Sequence, residues 1–177
     1  MRSLTPQQKD VRVGMIAGAV FCVVWVWTGH AFMDIDLPLW VTTGDRMAYV
    51  AKCEIFAALP LLLGVMVVAG QRFFSDQAIE GQTEGLADAI TINLRYIQNS
   101  LEQLVLLVMT HMAYAATAGS GDMKIIPILV SLFIVGRVCF WLGYHQSPLS
   151  RAFGFAVTFY PSVVMMGLTL WRIGGGL

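Results

Sequence analysis

The sequence contains few charged residues. Only 12% of its 177 residues are Asp, Glu, Lys or Arg, whereas soluble domains contain about 25%. Because 57% of the residues are hydrophobic, the composition argues against a water-soluble domain and predicts an integral membrane protein. Eleven basic residues balance eleven acidic ones, so the basic excess typical of nucleic-acid binding or of a polybasic lipid-binding tail is missing. We expect a membrane environment and no nucleic-acid partner.

Clustered metal ligands are also missing from the sequence. Cys22, Cys53 and Cys139 lie in three different apolar stretches, form no Cys-x-x-Cys pair, and are accompanied by only three scattered histidines. A disulfide framework, a thiolate metal site or an intramembrane haem would each require side chains that converge. We therefore expect neither a metal nor a haem.

What the sequence does contain is a series of long apolar runs. A membrane-spanning helix needs about 20 residues, and polar connections at residues 30–46 and 75–88 help to separate five such segments. They are Val13 to Gly29, Met47 to Gly70, Ala89 to Ala118, Ile125 to Tyr144, and a last helix that ends near Trp171. Pro60 and Pro161 predict kinks in the second and fifth segments. We interpret Gly14 and Gly18, a GxxxG pattern in the first segment, as a chance occurrence in a glycine-rich chain.

The basic residues at the ends of these segments predict an orientation. With five spans, one side of the membrane receives Arg2, Lys9, Arg12, Arg72, Arg95 and Arg151, and the other receives Arg46, Lys52, Lys124 and Arg172. Because basic residues are enriched on the cytoplasmic side, the first of these sides is predicted to be cytoplasmic. The short loops and the lack of organelle-targeting features indicate a bacterial inner membrane.

The third segment opens with polar residues that share one helical face. In the stretch RYIQNSLE, Arg95, Asn99 and Glu102 fall within roughly 60° of arc at about 100° per residue. Arg137 lies two turns inside the fourth segment. Placing a charged side chain at that depth in a membrane costs about 2.5–3.5 kcal/mol, so Arg137 should face the interior of the helix bundle and have a partner there. Glu102 is the candidate partner. One alternative is a buried ion network of Arg95, Glu102 and Arg137 that only fixes helix register. Because one carboxylate does not balance the arginines, we favour an anionic ligand.

Further polar residues extend the predicted site. Tyr144 lies two helical turns after the buried arginine and therefore on almost the same face, near the water boundary. Ser147 followed by Pro148 predicts a helix start, with the serine as N-cap, which places Arg151 in the first turn. An arginine beside the free N–H groups of a helix start is suited to holding an anion. His111 points roughly 160° away from the polar stripe and is expected to pack against another helix or subunit.

Two stretches carry a resemblance to a known family. RYIQNSLE has the Arg-x-x-x-Asn-x-x-Glu pattern of the MAPEG family, the membrane-associated proteins in eicosanoid and glutathione metabolism, and GRVCFWLGYHQSPLSRAFGF is similar to that family's second signature. The resemblance extends from about Met47 to Trp171 and points towards microsomal glutathione transferases. It divides the chain into residues 1–46, an N-terminal extension with an extra transmembrane helix and an exterior loop, and residues 47–177, a four-helix membrane domain.

The resemblance implies an all-α membrane bundle, assembled as a homotrimer, that binds glutathione between subunits near the cytoplasmic surface. The residues implied to contact or organise glutathione are Arg72, Arg95, Asn99, Glu102, Arg137 and Tyr144, and Arg151 would stabilise its thiolate. The implied activity is a glutathione transferase, with peroxidase activity also open, that uses glutathione as co-substrate and takes a lipophilic electrophile or lipid from the membrane.

Two departures from the family pattern leave another function open. Phe140 occupies a position where several members have a polar residue, and the first helix is additional to the family's four. These features favour a non-catalytic protein, either a lipid-binding subunit or a membrane scaffold, that would join a larger membrane complex through its N-terminal helix. A small transporter is less favoured, since the segments show no internal repeat.

Overall fold

The structure is a computed structural model that describes residues 4–33, 42–75, 79–81 and 88–175. Its helices are α1 (Pro6–Phe32), α2 (Thr43–Ala57), α3 (Leu59–Phe73), α4 (Asp88–Thr117), α5 (Ile125–Gln146) and α6 (Arg151–Ile173), with a 3-10 turn at Ser120–Lys124. The predicted all-α class is confirmed. Parts of both predicted polar connections, and Arg2, lie outside the described residues.

Among the described residues, four segments are long and apolar enough to cross a membrane: Pro6–Phe32, Thr43–Phe73, Ser120–Gln146 and Arg151–Ile173. The remaining long helix, α4, has 30 residues but buries several polar side chains, namely Asn93, Ser100, Gln103, Thr110 and His111. Helix α4 lies along the full length of α2 and α3. At one end the Asn93 amide donates to Gln71 Oε1, and at the other end Arg46 Nε donates to the Ala115 carbonyl. Helix α4 therefore runs antiparallel to α2 and α3 and passes through the same layer.

The kink predicted at Pro60 is present as the break between α2 and α3. Ala58 separates the two helices, and α3 begins with Leu59 and Pro60. Proline is tolerated in the first turn of a helix because the N–H that it lacks would have no partner there. Helix α6, in contrast, continues through Pro161 to Ile173.

Helix α1 packs along α6 through two glycines. A Cβ atom at Gly14 would lie 3.2 Å from Ala152 Cβ, and one at Gly18 would lie 2.8 Å from Ala156 Cβ. The matching four-residue steps show that the two helices run parallel. Interpreting this GxxxG as a chance occurrence was wrong, because small residues on both helices let the backbones approach closely. The cavity described below depends on this contact.

We expect Gly18→Leu to separate α1 from α6. The added side chain would overlap Ala156, and overpacking of this kind typically destabilises a protein by about 1–3 kcal/mol. The midpoint of thermal unfolding in detergent should fall accordingly. Gly167→Leu is the matched control on α6, because a Cβ atom there meets nothing within 4 Å. An equal loss of stability in both variants would contradict this account of the contact.

Several of the described basic residues lie at one end of the bundle or the other. At one end, Lys124 Nζ donates to the His30 carbonyl and Arg172 pairs with Asp122 at 2.9 Å. At the opposite end, Arg95 and Arg151 line one cavity. Arg95 and Arg151 are thus separated from Lys124 and Arg172 by the length of the bundle.

Candidate functional site

A cavity of about 400 Å³ lies where α4, α5 and α6 meet the first helix. Arg95, Asn99 and Arg151, three of the predicted site residues, line it together with Phe140. Among the described residues that line it, none is acidic. The volume falls within the range of about 300–1,000 Å³ that is usual for small-molecule sites. The cavity therefore offers positive charge in a space of suitable size for a small anion-bearing ligand.

Tyr144 joins the two arginines of the cavity. Arg95 Nη1 donates to the Tyr144 hydroxyl at 3.4 Å, and the guanidinium carbon of Arg151 lies 4.5 Å from the centre of the Tyr144 ring. The tyrosine is buried, whereas both arginine side chains are exposed. A guanidinium over an aromatic face is stabilised electrostatically. Tyr144, on α5, thus positions cations from α4 and α6 on the same side of the bundle.

Arg137 lies beneath the cavity rather than in its wall. Its side chain is fully buried, as its depth in the sequence predicted. Arg137 Nη1 donates to Asn99 Oδ1 at 3.0 Å, and its guanidinium carbon lies 4.2 Å from the centre of the Phe140 ring. Its Nε and Nη2 atoms have no acceptor among the described residues. Arg137 therefore positions two residues of the cavity wall and keeps unused hydrogen-bonding capacity.

The predicted pairing of Arg137 with Glu102 is wrong within this chain. Glu102 is exposed and accepts a hydrogen bond from Gln98 Nε2 at 2.9 Å. Asn99 and Glu102 lie three residues apart, so they differ by roughly 60° around the helix. Only Asn99 is turned far enough towards α5 to meet the arginine. No ion pair among the described residues joins Arg95, Glu102 and Arg137, so the alternative ion network is also absent.

Arg72 lies outside the arrangement just described. It is exposed in the last turn of α3 and does not line the cavity. Its neighbour Gln71 hydrogen-bonds to Asn93, which places this end of α3 on the cavity side of the bundle. Within one chain, Arg72 therefore lies at the cavity end of the bundle but does not line the cavity.

The start of α6 differs in part from the prediction. Ser147 Oγ accepts hydrogen bonds from the N–H groups of Leu149 and Ser150, each at 3.3 Å. These residues form a turn, and α6 itself begins three residues later than predicted, with Arg151 as its first residue. Ser147 is therefore not the N-cap of α6; that position belongs to Ser150, which makes no side-chain cap hydrogen bond, while Arg151 lies in the first turn as predicted.

The sequence prediction missed the polar cluster around Asn93. Asn93 is buried; its amide donates to Gln71, and its Oδ1 lies 2.7 Å from Trp141 Nε1 and 2.9 Å from His145 Nε2. These contacts join α3, α4 and α5 at the cavity end. A neutral asparagine gives no signal of this kind in the sequence. Val11 and Met15 of α1, which also line the cavity, could have been found from the GxxxG pattern.

His111 packs against another helix, as predicted, and its partner is a carboxylate. His111 Nδ1 lies 2.5 Å from Glu54 Oε1 on α2, and both side chains are buried. Glu54 Oε2 and His111 Nε2 have no partner among the described residues. The sequence did contain a signal for this pair, because Glu54 is an ionisable residue within the apolar second segment. This pair lies on the α2 side of α4 and takes no part in the cavity.

The described residues contain no group of three or more His, Cys, Asp or Glu side chains arranged to hold a metal ion. Cys22, Cys53 and Cys139 are free thiols, each buried or half-buried. Cys22 Sγ donates to the Val157 carbonyl on α6, which is a packing contact.

The model of the MAPEG family matches residues 49–171. The chain belongs to the MAPEG family. It is also similar to Transmembrane protein 79 of Mus musculus, with 28% identity over 160 residues that cover 90% of this chain and 39% of that protein. The corresponding Bos taurus protein is 29% identical over 148 residues, which cover 83% of this chain and 36% of the relative. No solved structure matches the chain.

The family match and the match to the mouse protein differ in whether they include the first helix. The MAPEG match begins in α2 and leaves α1 outside. The match to the mouse protein covers 90% of the chain and so includes part of α1, because residues 1–32 make up more than a tenth of it. This chain spans under two fifths of the length of either relative. Both relatives are named as transmembrane proteins, and neither name states a transferase activity.

Proposed function

We propose that this MAPEG protein is a membrane-bound glutathione transferase. The observation that supports the proposal is the position of Arg95 and Arg151 on a shared tyrosine, beside a cavity without acidic residues in its described wall. Glutathione carries two carboxylates and one amine, and carboxylates form their strongest hydrogen bonds with arginine. Arg95 and Asn99 would bind the peptide, while Arg137 and Tyr144 would position them.

Arg151 has a separate role in the proposal, as the group that stabilises the glutathione thiolate. A free thiol of this type has a pKa of about 8.5, so only a few per cent is ionised near neutrality. Lowering the pKa by about two units requires about 2.7 kcal/mol of preferential stabilisation of the thiolate. A neighbouring arginine can supply an effect of this size. The thiolate would then attack a lipophilic electrophile that enters from the membrane.

The proposed site is shared between subunits of a homotrimer. Glu102 and Gln98 are exposed beside large apolar side chains such as Leu101 and Val105. A carboxylate that faces lipid is costly, so a second subunit is expected to cover this face of α4. Glu102 would then contribute to glutathione binding across the interface, and Arg72 of α3 would do the same.

We expect Arg95→Ala to weaken glutathione binding by about tenfold or more, since hydrogen bonds to charged groups contribute about 1.5–3 kcal/mol. Calorimetric titration of glutathione into the detergent-solubilised protein measures this directly. Arg172→Ala is the control, because Arg172 pairs with Asp122 at the opposite end of the bundle. Equal affinities for wild type and Arg95→Ala, or no binding by wild type, would contradict the proposed site.

A non-catalytic scaffold is the second candidate function, and Phe140 favours it. Its buried ring covers the Arg137 guanidinium, where a polar residue would offer a ligand contact. The outer face of α1, which exposes Val13, Val23 and Trp27, would then dock another membrane protein. A scaffold should co-purify with such a partner and bind glutathione weakly. Recovery as an isolated homotrimer in mild detergent would count against it.

The proposed location is a bacterial inner membrane with the site facing the cytoplasm. Arginines gather at the cavity end, and basic residues favour the cytoplasmic side. Reduced glutathione is maintained in the cytosol, which is where the proposed chemistry needs it. The relatives named above are mammalian, and the bacterial membrane stays a prediction.

A further inference from the structure

The first helix supplies an apolar wall of the cavity. Val11 and Met15 of α1 line it together with Ala152 and Phe155 of α6. Both α1 side chains are half-buried, and both lie outside the region matched by the family model, which begins at residue 49. The roles proposed above for the arginines and the asparagine of the cavity leave this apolar wall without a function.

The glycine contact between α1 and α6 sets the height of the wall. Gly14 meets Ala152, and because the two helices are parallel, the level of Arg151 lies one residue before Gly14 on α1. At a rise of about 1.5 Å per residue, Val11 and Met15 are then about 3 Å to either side of that level. The α1 side chains that line the cavity are therefore those at the height of the arginine proposed to stabilise the thiolate.

Helix α1 is held to the bundle beyond the cavity as well. Cys22 Sγ donates to the Val157 carbonyl at 3.5 Å, and Trp25 Nε1 donates to Ser131 Oγ at 3.1 Å. Together with the two glycines, these contacts tie successive turns of α1 to α5 and α6. The wall therefore has a defined position on a rigid element, which is what a surface that selects a substrate requires.

We propose that Val11 and Met15 form the subsite for the apolar group that becomes attached to the glutathione sulfur. The proposal rests on the transferase function proposed above and names its class of second substrate. Neither side chain carries a charge, and methionine adapts to apolar groups of irregular shape because it is flexible and polarisable. The subsite therefore favours an uncharged electrophile with an apolar body.

In the reaction, this electrophile would lie between the α1 wall and the thiolate at Arg151. With an aryl chloride as the acceptor, the sulfur lone pair forms the new carbon–sulfur bond, and chloride leaves with the electron pair of the bond that breaks. The apolar body stays against Val11 and Met15 throughout, so the conjugate keeps the same contact. An S-alkylglutathione, which has the covalent structure of such a conjugate, therefore probes the subsite without any reaction.

The expected effect follows from the apolar area that the wall can cover. Burial of one methylene group strengthens binding by about fourfold. Burial of only a few carbons of a hexyl chain should therefore make S-hexylglutathione bind at least about tenfold more tightly than S-methylglutathione. The ratio of the two affinities isolates the alkyl group, because both compounds carry the same peptide.

The test is calorimetric titration of the two compounds into the full chain in phosphatidylcholine nanodiscs, with empty nanodiscs to correct for partition into the bilayer. Met15→Trp places an indole where the hexyl chain would lie and should lower the affinity ratio at least about tenfold. Met15→Leu, a substitution of similar volume, should retain most of the ratio. Val20→Trp is the matched control, because Val20 is exposed on the same helix and does not line the cavity.

Two results would overturn the subsite: equal affinities of wild type for the two compounds, or a ratio that Met15→Trp and Val20→Trp change to the same extent. Conjugation of glutathione to chloronitrobenzene, measured on the same nanodiscs, separates this inference from the transferase. A ratio that depends on Met15 without conjugation would support the subsite and reject the transferase, whereas conjugation with a ratio independent of Met15 would do the opposite. Wild type that binds neither compound would reject both.

Discussion

Arg151→Ala is expected to lower the rate at which glutathione is conjugated to a chloronitrobenzene electrophile by at least about tenfold at neutral pH. Arg151 lines the cavity and is fixed against the Tyr144 ring, so its charge acts at a defined place. Without that charge the thiol of bound glutathione returns towards its ordinary pKa of about 8.5. The thiolate then changes from the majority form to a few per cent.

The pH dependence distinguishes this role from simple binding. In the proposed role, Arg151 lowers the pKa of the bound thiol, so its effect on the rate should be present near neutrality and be lost as the pH rises above about 8.5, where the thiol ionises without help. The Arg151→Ala defect should therefore shrink between pH 7 and pH 9.5. Initial rates at saturating glutathione measure this, with Arg151→Lys expected to retain much of the activity.

Other results would count against thiolate stabilisation by Arg151. An Arg151→Ala variant that is as fast as wild type at pH 7 would rule out this role. A defect of the same size at every pH would mean that the arginine only binds or positions the peptide. Arg172→Ala, at the far end of the bundle, controls for loss of one positive charge and should show neither effect.

Helix positions were predictable where the signal is local. The third and fourth helices were expected at 89–118 and 125–144 and are found at Asp88–Thr117 and Ile125–Gln146, because a glycine-containing turn separates two apolar runs. The first helix begins at Pro6 instead of Val13. The apolar run marks only the membrane part, whereas Thr5 and Gln8 form a capping box that begins the helix earlier. That pattern was present in the sequence and could have been used.

The candidate site was predictable in its residue types more than in its contacts. The cost of a charge in the membrane placed Arg137 inside the bundle, and the structure buries it completely. Its partner was not predictable, since Asn99 and Glu102 differ by a rotation of roughly 60° that only the packing of α4 against α5 decides. The contribution of α1 to the cavity also depends on packing between helices far apart in sequence.

His111→Leu is expected to destabilise the protein by about 3–5 kcal/mol, the range found when one partner of a buried salt bridge is removed and a carboxylate is left without its partner. Glu54 is 7% exposed and its Oε1 contacts His111 Nδ1. With leucine at position 111, the carboxylate would stay in an apolar interior without a donor among the described residues. Unfolding in mixed micelles with increasing dodecyl sulfate measures the loss.

The double variant Glu54→Met/His111→Leu separates the two causes of that loss. Replacing both partners by apolar side chains of similar volume is often neutral or stabilising, so the double variant should recover most of the stability. Thr110→Val is the control on the same helix, because the Thr110 hydroxyl bonds to the Leu106 carbonyl of its own helix and its removal leaves no buried charge. If the double variant is as unstable as His111→Leu alone, the packing of the imidazole, and not the unpaired carboxylate, stabilises the contact between α2 and α4.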